Sequence, residues 1–179
     1  MKKRGRITLG LFNTYDRLRL TEAHRRAIAR VGPLAYAYEM NIALFQFPFE
    51  KNFVDRDLSR WIRDTSSIGE FGELITLVES GDRITIVDEV KNGFPPQLGK
   101  VVITTCKPEA SKQVLLTDVC EFSKKGHSVL LLFGLGPKGL PKKVKQMGQM
   151  HLDVTPDGSS LETCTALGAV AASIYHLGR

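Results

Sequence analysis

The stretch Leu131-Leu-Phe-Gly-Leu-Gly-Pro-Lys-Gly-Leu-Pro141 decides how this chain is read. Its first residues complete the apolar run Val129 to Phe133, and a loop with three glycines and two prolines follows at once. A run that is apolar at consecutive positions buries both of its faces, as parallel strands do when helices cover the sheet. Gly134, Gly136 and Gly139 carry no Cβ to block close approach, and Pro137 and Pro141 stiffen the turn without donating an N–H. Backbone amides in such a loop are free to hold a ligand.

Working outward, further strand-like runs lie at Ile7 to Phe12, Ile42 to Phe47, Ile84 to Val87, Val101 to Thr105 and Met150 to Val154. Helical spacing fills several of the gaps. From Thr21 to Met40, Ala27, Ile28, Val31, Leu34, Ala35 and Tyr38 form an apolar stripe that Gly32 and Pro33 are expected to kink or divide. Between Asp55 and Ser80 the pattern predicts one or two amphipathic segments, with Leu58, Trp61 and Ile62, then Phe71, Leu74, Ile75 and Val78. The segment from Asn92 to Gly99, with Pro95 and Pro96, reads as a loop, and Pro108 to Lys125 as a helix stopped by Gly126. The last helix is expected to start with a capping box, Ser159 to Glu162, ahead of Leu167, Val170, Ile174 and Leu177. Strands that alternate with helices predict an α/β fold, a mostly parallel sheet with helices on both faces, in one domain spanning residues 1–179.

Composition narrows the functional classes. With 179 residues, 42% hydrophobic and 25% charged, the chain is in the range of one globular domain. No apolar run reaches the ~20 residues that cross a bilayer, so no membrane is expected, and the cytoplasm is. Cys106, Cys120 and Cys164 are widely spaced without a CxxC pair, which predicts buried, reduced cysteines, with neither a disulfide framework nor a metal site. The net charge of +6 is uneven: residues 1–30 hold nine Lys or Arg (Lys2, Lys3, Arg4, Arg6, Arg17, Arg19, Arg25, Arg26, Arg30) against Asp16 and Glu22. Clustered cations of this kind suit a polyanionic partner, because they displace the counterions held by phosphates; a solvated helix face is the plainer alternative. Lys138, Lys142, Lys143 and Lys145 make a second basic run beside the glycine loop. His24, a lone histidine in an Arg-rich helix, is expected at the surface, and His127, His151 and His176 show no catalytic pattern.

The loop by itself is weak evidence of a ligand class. A phosphate-binding loop is the obvious rival, yet GxxxxGK[ST] is absent and the third glycine of dinucleotide-binding turns is out of place. A second loop adds weight: the strand from Met150 runs into Thr155-Pro-Asp-Gly-Ser-Ser160 before the last helix. Two such loops at adjacent strand ends fall where open parallel sheets bind ligands.

At these residues the chain resembles the SPOUT superfamily of S-adenosylmethionine-dependent RNA methyltransferases, over roughly Gly99 to Leu177. Phe133-Gly-Leu-Gly-Pro-Lys-Gly139 is similar to the second motif of that superfamily and Ser160-Leu-Glu-Thr-Cys-Thr-Ala-Leu167 to the third. The resemblance implies a C-terminal trefoil knot over about residues 99–179. It also implies that three loops bind S-adenosylmethionine, through Thr104 and Thr105, through Gly134, Gly136, Gly139 and Leu140, and through Leu152, Thr155, Ser159, Ser160 and Leu161. Leu135, Leu140, Leu152 and Leu161 would wall the adenine, or serve as ordinary core. One branch of the superfamily carries G-P-E-G and L-R-T-E-T-A where this chain has Lys138, Glu162 and Cys164.

In the SpoU-like branch, an asparagine and an arginine after the first strand face the methyl group, which implies Asn13, Arg17 and Arg19 here. The substrate implied is structured RNA, ribosomal or transfer, with ribose 2′-O methylation as the preferred chemistry. Arg25, Arg26, Lys138 and Lys142 are the expected RNA contacts. A homodimer is implied as well, with Ala169, Ala171, Ala172 and Ser173 of the last helix available for close packing. Two rivals stand beside this reading: a knotted scaffold that binds RNA or cofactor without catalysis, and an α/β nucleotide-binding protein with Lys138 as the phosphate partner.

Overall fold

The computed structural model describes residues 4–50, 53, 57–58, 60–61, 72–155 and 157–178. Lys2, Lys3, Ile62, Phe71, Pro156 and the side chains of Leu74 and Ile75, all named above, lie outside the described residues.

Among the described residues seven strands form one sheet: β1 (Ile7–Phe12), β2 (Asn41–Phe45), β3 (Ile84–Val87), β4 (Lys100–Thr104), β5 (Gln113–Val114), β6 (Val129–Gly134) and β7 (Met150–Leu152). Their spatial order is β3-β2-β1-β6-β4-β7-β5, and each pairing is parallel. The α/β architecture expected from unbroken apolar runs is therefore the one observed. Side chains divide by parity between the faces. On one face Leu9, Leu11, Ile42, Leu44, Val102, Val129, Leu131 and Phe133 join a core that includes residues of α1 (Glu22–Ala37), α2 (Gly72–Glu79), α3 (Leu116–Lys124) and α5 (Thr163–Leu177). On the other face Phe12, Ala43, Phe45, Val101, Ile103, Leu130 and Leu132 meet Leu98, Leu140 and Val144, the last on the short α4 (Lys142–Met147).

Several expectations need correction. Helix α1 runs through Gly32 and Pro33 undivided. Val31 and Ala35 on either side of the pair are fully buried, and that packing outweighs the one backbone hydrogen bond that Pro33 removes. The helix expected from Pro108 begins only at Leu116, because Gln113 and Val114 instead pair with the free edge of β7. Asp118 accepts the Leu115 N–H (2.8 Å) and fixes that start. The Ser159 capping box is absent: Glu162 is itself the N-cap of α5, its carboxylate accepting the N–H groups of Cys164 (2.9 Å) and Thr165 (3.2 Å). The helix starts at Thr163, three residues later than the box would set it, and Glu162 serves the orphan donors of that first turn. Of the cysteines only Cys120 is buried; all three are free thiols. Ala171 packs inward, whereas Ala169 is exposed.

His24 is not at the surface. It is fully buried, and it closes the first turn of α1 while joining that turn to the end of β1. Its Nδ1 accepts the Thr21 N–H (2.9 Å), which leaves the ring proton on Nε2 to be donated to Asn13 Oδ1 (2.9 Å). Asn13 is buried too: its Nδ2 donates to the carbonyls of Asp16 (3.0 Å) and Gln46 (2.9 Å), and its Oδ1 also accepts the Tyr15 N–H (3.0 Å). The Phe47 ring lies edge-on to the imidazole at 5.4 Å.

Burial holds the His24 pKa below its ordinary value near 6.5, with the Asp16 charge opposing the shift. The unfolded chain accordingly takes up a proton that the folded chain refuses, so this contribution is complete above about pH 6.5 and is lost as pH falls through the depressed native value. Urea unfolding from about pH 7 to about pH 5 is expected to show a falling midpoint in the wild type and a flatter profile, from a lower start, in His24→Asn.

Candidate functional site

The strands direct the site. Thr104, Gly134 and Leu152 stand at the carboxyl ends of the adjacent strands β4, β6 and β7, and the loops after them surround one cavity of about 720 Å3. That volume is within the range of small-molecule and cofactor sites. Thr104, Thr105, Gly134, Gly136, Gly139, Leu140, Leu152, Thr155, Ser159, Ser160 and Leu161 all line it. The structure thus brings into one wall eleven residues spread over three separate parts of the sequence.

Hydrogen bonds clasp these loops to one another. Thr104 Oγ1 donates to the Leu132 carbonyl (2.8 Å), and the Thr105 N–H donates to Leu152 O (2.9 Å). Thr163, at the head of α5, donates its hydroxyl to Gly134 O (2.8 Å). The Gly136 N–H reaches across to Thr14 Oγ1 (2.7 Å), which binds the glycine loop to the loop after β1. In the third loop Asp153 Oδ1 accepts both the N–H (2.9 Å) and the hydroxyl (2.7 Å) of Thr155.

The glycines are required for different reasons. A Cβ on Gly134 would lie 2.6 Å from Gly139 C and from Leu140 N, because the loop folds back on its own backbone. A Cβ there meets the loop itself, and a ligand is blocked only through the displacement that follows. At Gly136 the added atom would meet Thr14 Oγ1 at 2.7 Å. Gly139 has open space around it but a φ of 62°, which L side chains rarely adopt.

The wall is mixed in character. Leu135, Leu140 and Leu152 are buried and supply its apolar floor, whereas Leu161 (38% exposed) and Tyr15 (43% exposed) stand at its rim. The charged lining is Lys107, Lys138, Lys145, Asp153 and Glu162. Glu162 is engaged as a helix cap and Asp153 Oδ1 by Thr155, and the three lysines outnumber these two carboxylates in the lining. Beside Glu162, the Arg30 guanidinium of α1 acts on the Cys164 thiol and favours its ionised form. Burial nonetheless pushes that thiol above its usual range, so it stays protonated and is no nucleophile at neutral pH.

The other expected residues fall elsewhere. Asn13 is outside the cavity lining, with both ends of its amide engaged inside the protein. Arg17 and Arg19 are exposed on the same loop as Tyr15. Arg26 pairs with Glu22 at 3.2 Å, and Arg25, 3.9 Å from the same carboxylate, lies over the Trp61 ring at 5.9 Å. Lys138 lines the cavity; Lys142 does not. Lys145, expected in the basic run beside the glycine loop, lines the cavity, whereas sequence reasoning missed Tyr15, Cys106 and Lys107 in the lining and Arg30 beside it. Tyr15, Cys106 and Lys107 follow strand ends and could have been flagged by position, but Arg30 is placed only by the packing of α1 on α5. Among the described residues no three of His, Cys, Asp and Glu converge to hold a metal ion, and no helix is long and apolar enough to cross a membrane.

Comparison with known proteins adds three findings. The model of a family described as a protein of unknown function, DUF531, matches residues 7–175. The uncharacterized protein MJ0224 of Methanocaldococcus jannaschii is 39% identical over 175 residues, covering 98% of this chain and 96% of its own. Among solved structures, a probable methylase family protein from Haemophilus influenzae superposes with a TM-score of 0.63 at 14% identity, over 97% of this chain and 66% of that one. This chain therefore spans just under two-thirds of the Haemophilus protein. A protein solved to give insight into the 2-OH methylation of C/U34 on tRNA gives 0.58 at 17% identity, with 97% and 96% covered. The SpoU methyltransferase AviRb from Streptomyces viridochromogenes, in complex with AdoMet, gives 0.53 at 14%, with 97% and 58% covered. At these identities the likeness is one of fold.

Replacing Gly134 by Ala should cost about 1–3 kcal/mol of stability, because backbone must move. Gly168, on α5 with open space around its Cβ position, should instead gain about 0.5–1 kcal/mol as Ala. Urea unfolding of the two variants measures the pair, and equal effects at both sites would show that the loop is not held closed as described.

Proposed function

We propose that this chain, which belongs to the DUF531 family, is an S-adenosylmethionine-dependent methyltransferase acting on structured RNA, ribosomal or transfer, at a ribose 2′-hydroxyl. The observation that carries the reading is the convergence of the loops after β4, β6 and β7 on one cavity, together with the SpoU-type fold. The protein with the tRNA 2-OH methylation description and the AdoMet-bound AviRb support the substrate class and the cofactor by likeness of fold.

The residues present fit the cofactor. Leu135, Leu140, Leu152 and Leu161 offer apolar walls to an adenine, the closed glycine loop offers main-chain groups to its edge, and the cavity is of cofactor size. When bound, S-adenosylmethionine would supply a methyl group whose carbon–sulfur bond breaks to a neutral thioether without acid assistance, the ribose hydroxyl proton passing to solvent. The protein's task is then to hold the attacking oxygen in line and to place charge around it. We assign substrate orientation to Arg17 and Arg19, whose guanidiniums suit a phosphate and an oxygen nearing deprotonation. Asn13 acts through the loop: pinned by His24, it fixes the segment that presents both arginines. Lys107, Lys138 and Lys145 in the cavity, with Arg25, Arg26 and Lys142 farther out, supply the positive field for an RNA backbone.

In this reading residues 1–179 form one domain, acting in the cytoplasm, and the chain from about residue 99 is the trefoil-knotted cofactor part. The contact of Thr163 with the glycine loop, made after the chain has passed out to β7, agrees with that. Two copies pair as a homodimer through the exposed side of α5, including Ala169.

The purified protein incubated with methyl-labelled S-adenosylmethionine and bulk tRNA and rRNA is expected to transfer label to RNA, recovered after digestion as 2′-O-methylnucleoside. Arg19→Ala should lower the transfer rate about a hundredfold or more while cofactor affinity holds. Label in a base, or none in RNA although the cofactor binds, would overturn the assignment.

A further inference from the structure

Leu18 is the most exposed large apolar residue described in the protein, at 89%, and nothing in the site as built so far uses it. It stands between Arg17 and Arg19, both exposed, three residues beyond Tyr15 at the cavity rim. An apolar side chain held in water costs free energy, and a loose loop would turn it inward or let it wander. This loop is not loose. Asp16 Oδ1 accepts the N–H groups of Leu18 (2.7 Å) and Arg19 (3.1 Å), Asn13 holds the Asp16 carbonyl and the Tyr15 N–H, and Thr14 is bonded to Gly136. Three independent anchors thus present Leu18 outward.

We propose that the Tyr15–Arg19 loop is a wedge for structured RNA: Leu18 fills the gap left in the stack by an extruded nucleotide, whose base is received on the Tyr15 ring at the cavity mouth. An apolar side chain flanked by arginines matches what enters a stacked nucleic acid, since the wedge replaces lost stacking while the cations take the neighbouring phosphates. The exposed ring at the rim offers a face to a single base of any identity. In the cavity and the loop together, Lys107, Lys138, Lys145, Arg17 and Arg19 outnumber Asp16, Asp153 and Glu162, a cationic excess that favours RNA over a protein partner for the same surface. The role of the loop in delivering a nucleotide to be methylated rests on the proposed function; its role in binding looped RNA does not.

The test compares wild type, Leu18→Ser, Tyr15→Ala and Tyr15→Phe in filter binding to bulk tRNA and to a blunt RNA duplex without loops, with size-exclusion chromatography of each protein alone. Leu18→Ser and Tyr15→Ala are expected to weaken tRNA binding about tenfold, and Tyr15→Phe to retain it, because the stacking face persists. Duplex affinity should change by less than about twofold, because the phosphate contacts remain. Leu18 lies outside the cavity, so its substitution should leave S-adenosylmethionine binding as it was. Equal losses on tRNA and duplex, no loss on either, or a change of oligomeric state in Leu18→Ser in place of a change in RNA affinity would each overturn the wedge. Failure of the wild type to bind S-adenosylmethionine, with tRNA binding still dependent on Leu18, would instead overturn the methyltransferase reading and leave the RNA surface standing.

Discussion

Everything at the site depends on how closely the Gly134–Leu140 loop is folded. At Gly134 the loop passes so near its own return that no side chain fits, and at Gly136 it passes just as near to Thr14. Those two contacts, with the Thr163 hydroxyl on Gly134 O, hold the loops after β1 and β6 and the start of α5 against each other. The parallel sheet makes this arrangement possible, since it delivers β1, β6, β4 and β7 side by side with their carboxyl ends on one edge. A cavity formed this way is built before any ligand arrives, so little ordering cost remains to be met on binding.

A second constraint sits just below the cavity. Asn13 and His24 form a buried polar pair whose two donors and two acceptors all find partners within the protein. A half-satisfied pair in that position would be costly, and a fully satisfied one fixes geometry. What it fixes is the loop that carries Tyr15, Arg17 and Arg19. The polar core and the exposed cations are therefore parts of one device: the first determines where the second can stand.

Much of this was legible in the sequence because the strands are short, apolar and buried on both faces. Ile7–Phe12 and Ile84–Val87 are found at the expected boundaries, and the loop glycines lie where the sequence placed them. The misses have physical reasons. Gly32 and Pro33 suggested a kink or a division, and the helix is undivided where Val31 and Ala35 are buried; β5 exists only because β7 leaves an edge for Gln113 and Val114. Glu162 was expected as the distant half of a capping box and is the cap itself. His24 was expected at the surface because its helix is rich in arginine, yet its own position points into the core, toward an asparagine eleven residues earlier. Pairings of that kind depend on tertiary placement, which local patterning does not encode. The placement of Arg30 beside the site was hidden for the same reason.

The central claim is that the closed loops form a binding site for S-adenosylmethionine. Calorimetric titration of the purified protein with S-adenosylmethionine, and with ATP as the control ligand, tests it most directly. Micromolar affinity for S-adenosylmethionine with no measurable heat from ATP is the result this account predicts. Binding of ATP alone would contradict it and turn the glycine loop into a phosphate site, and binding of neither would leave the cavity without the ligand its walls were read to hold.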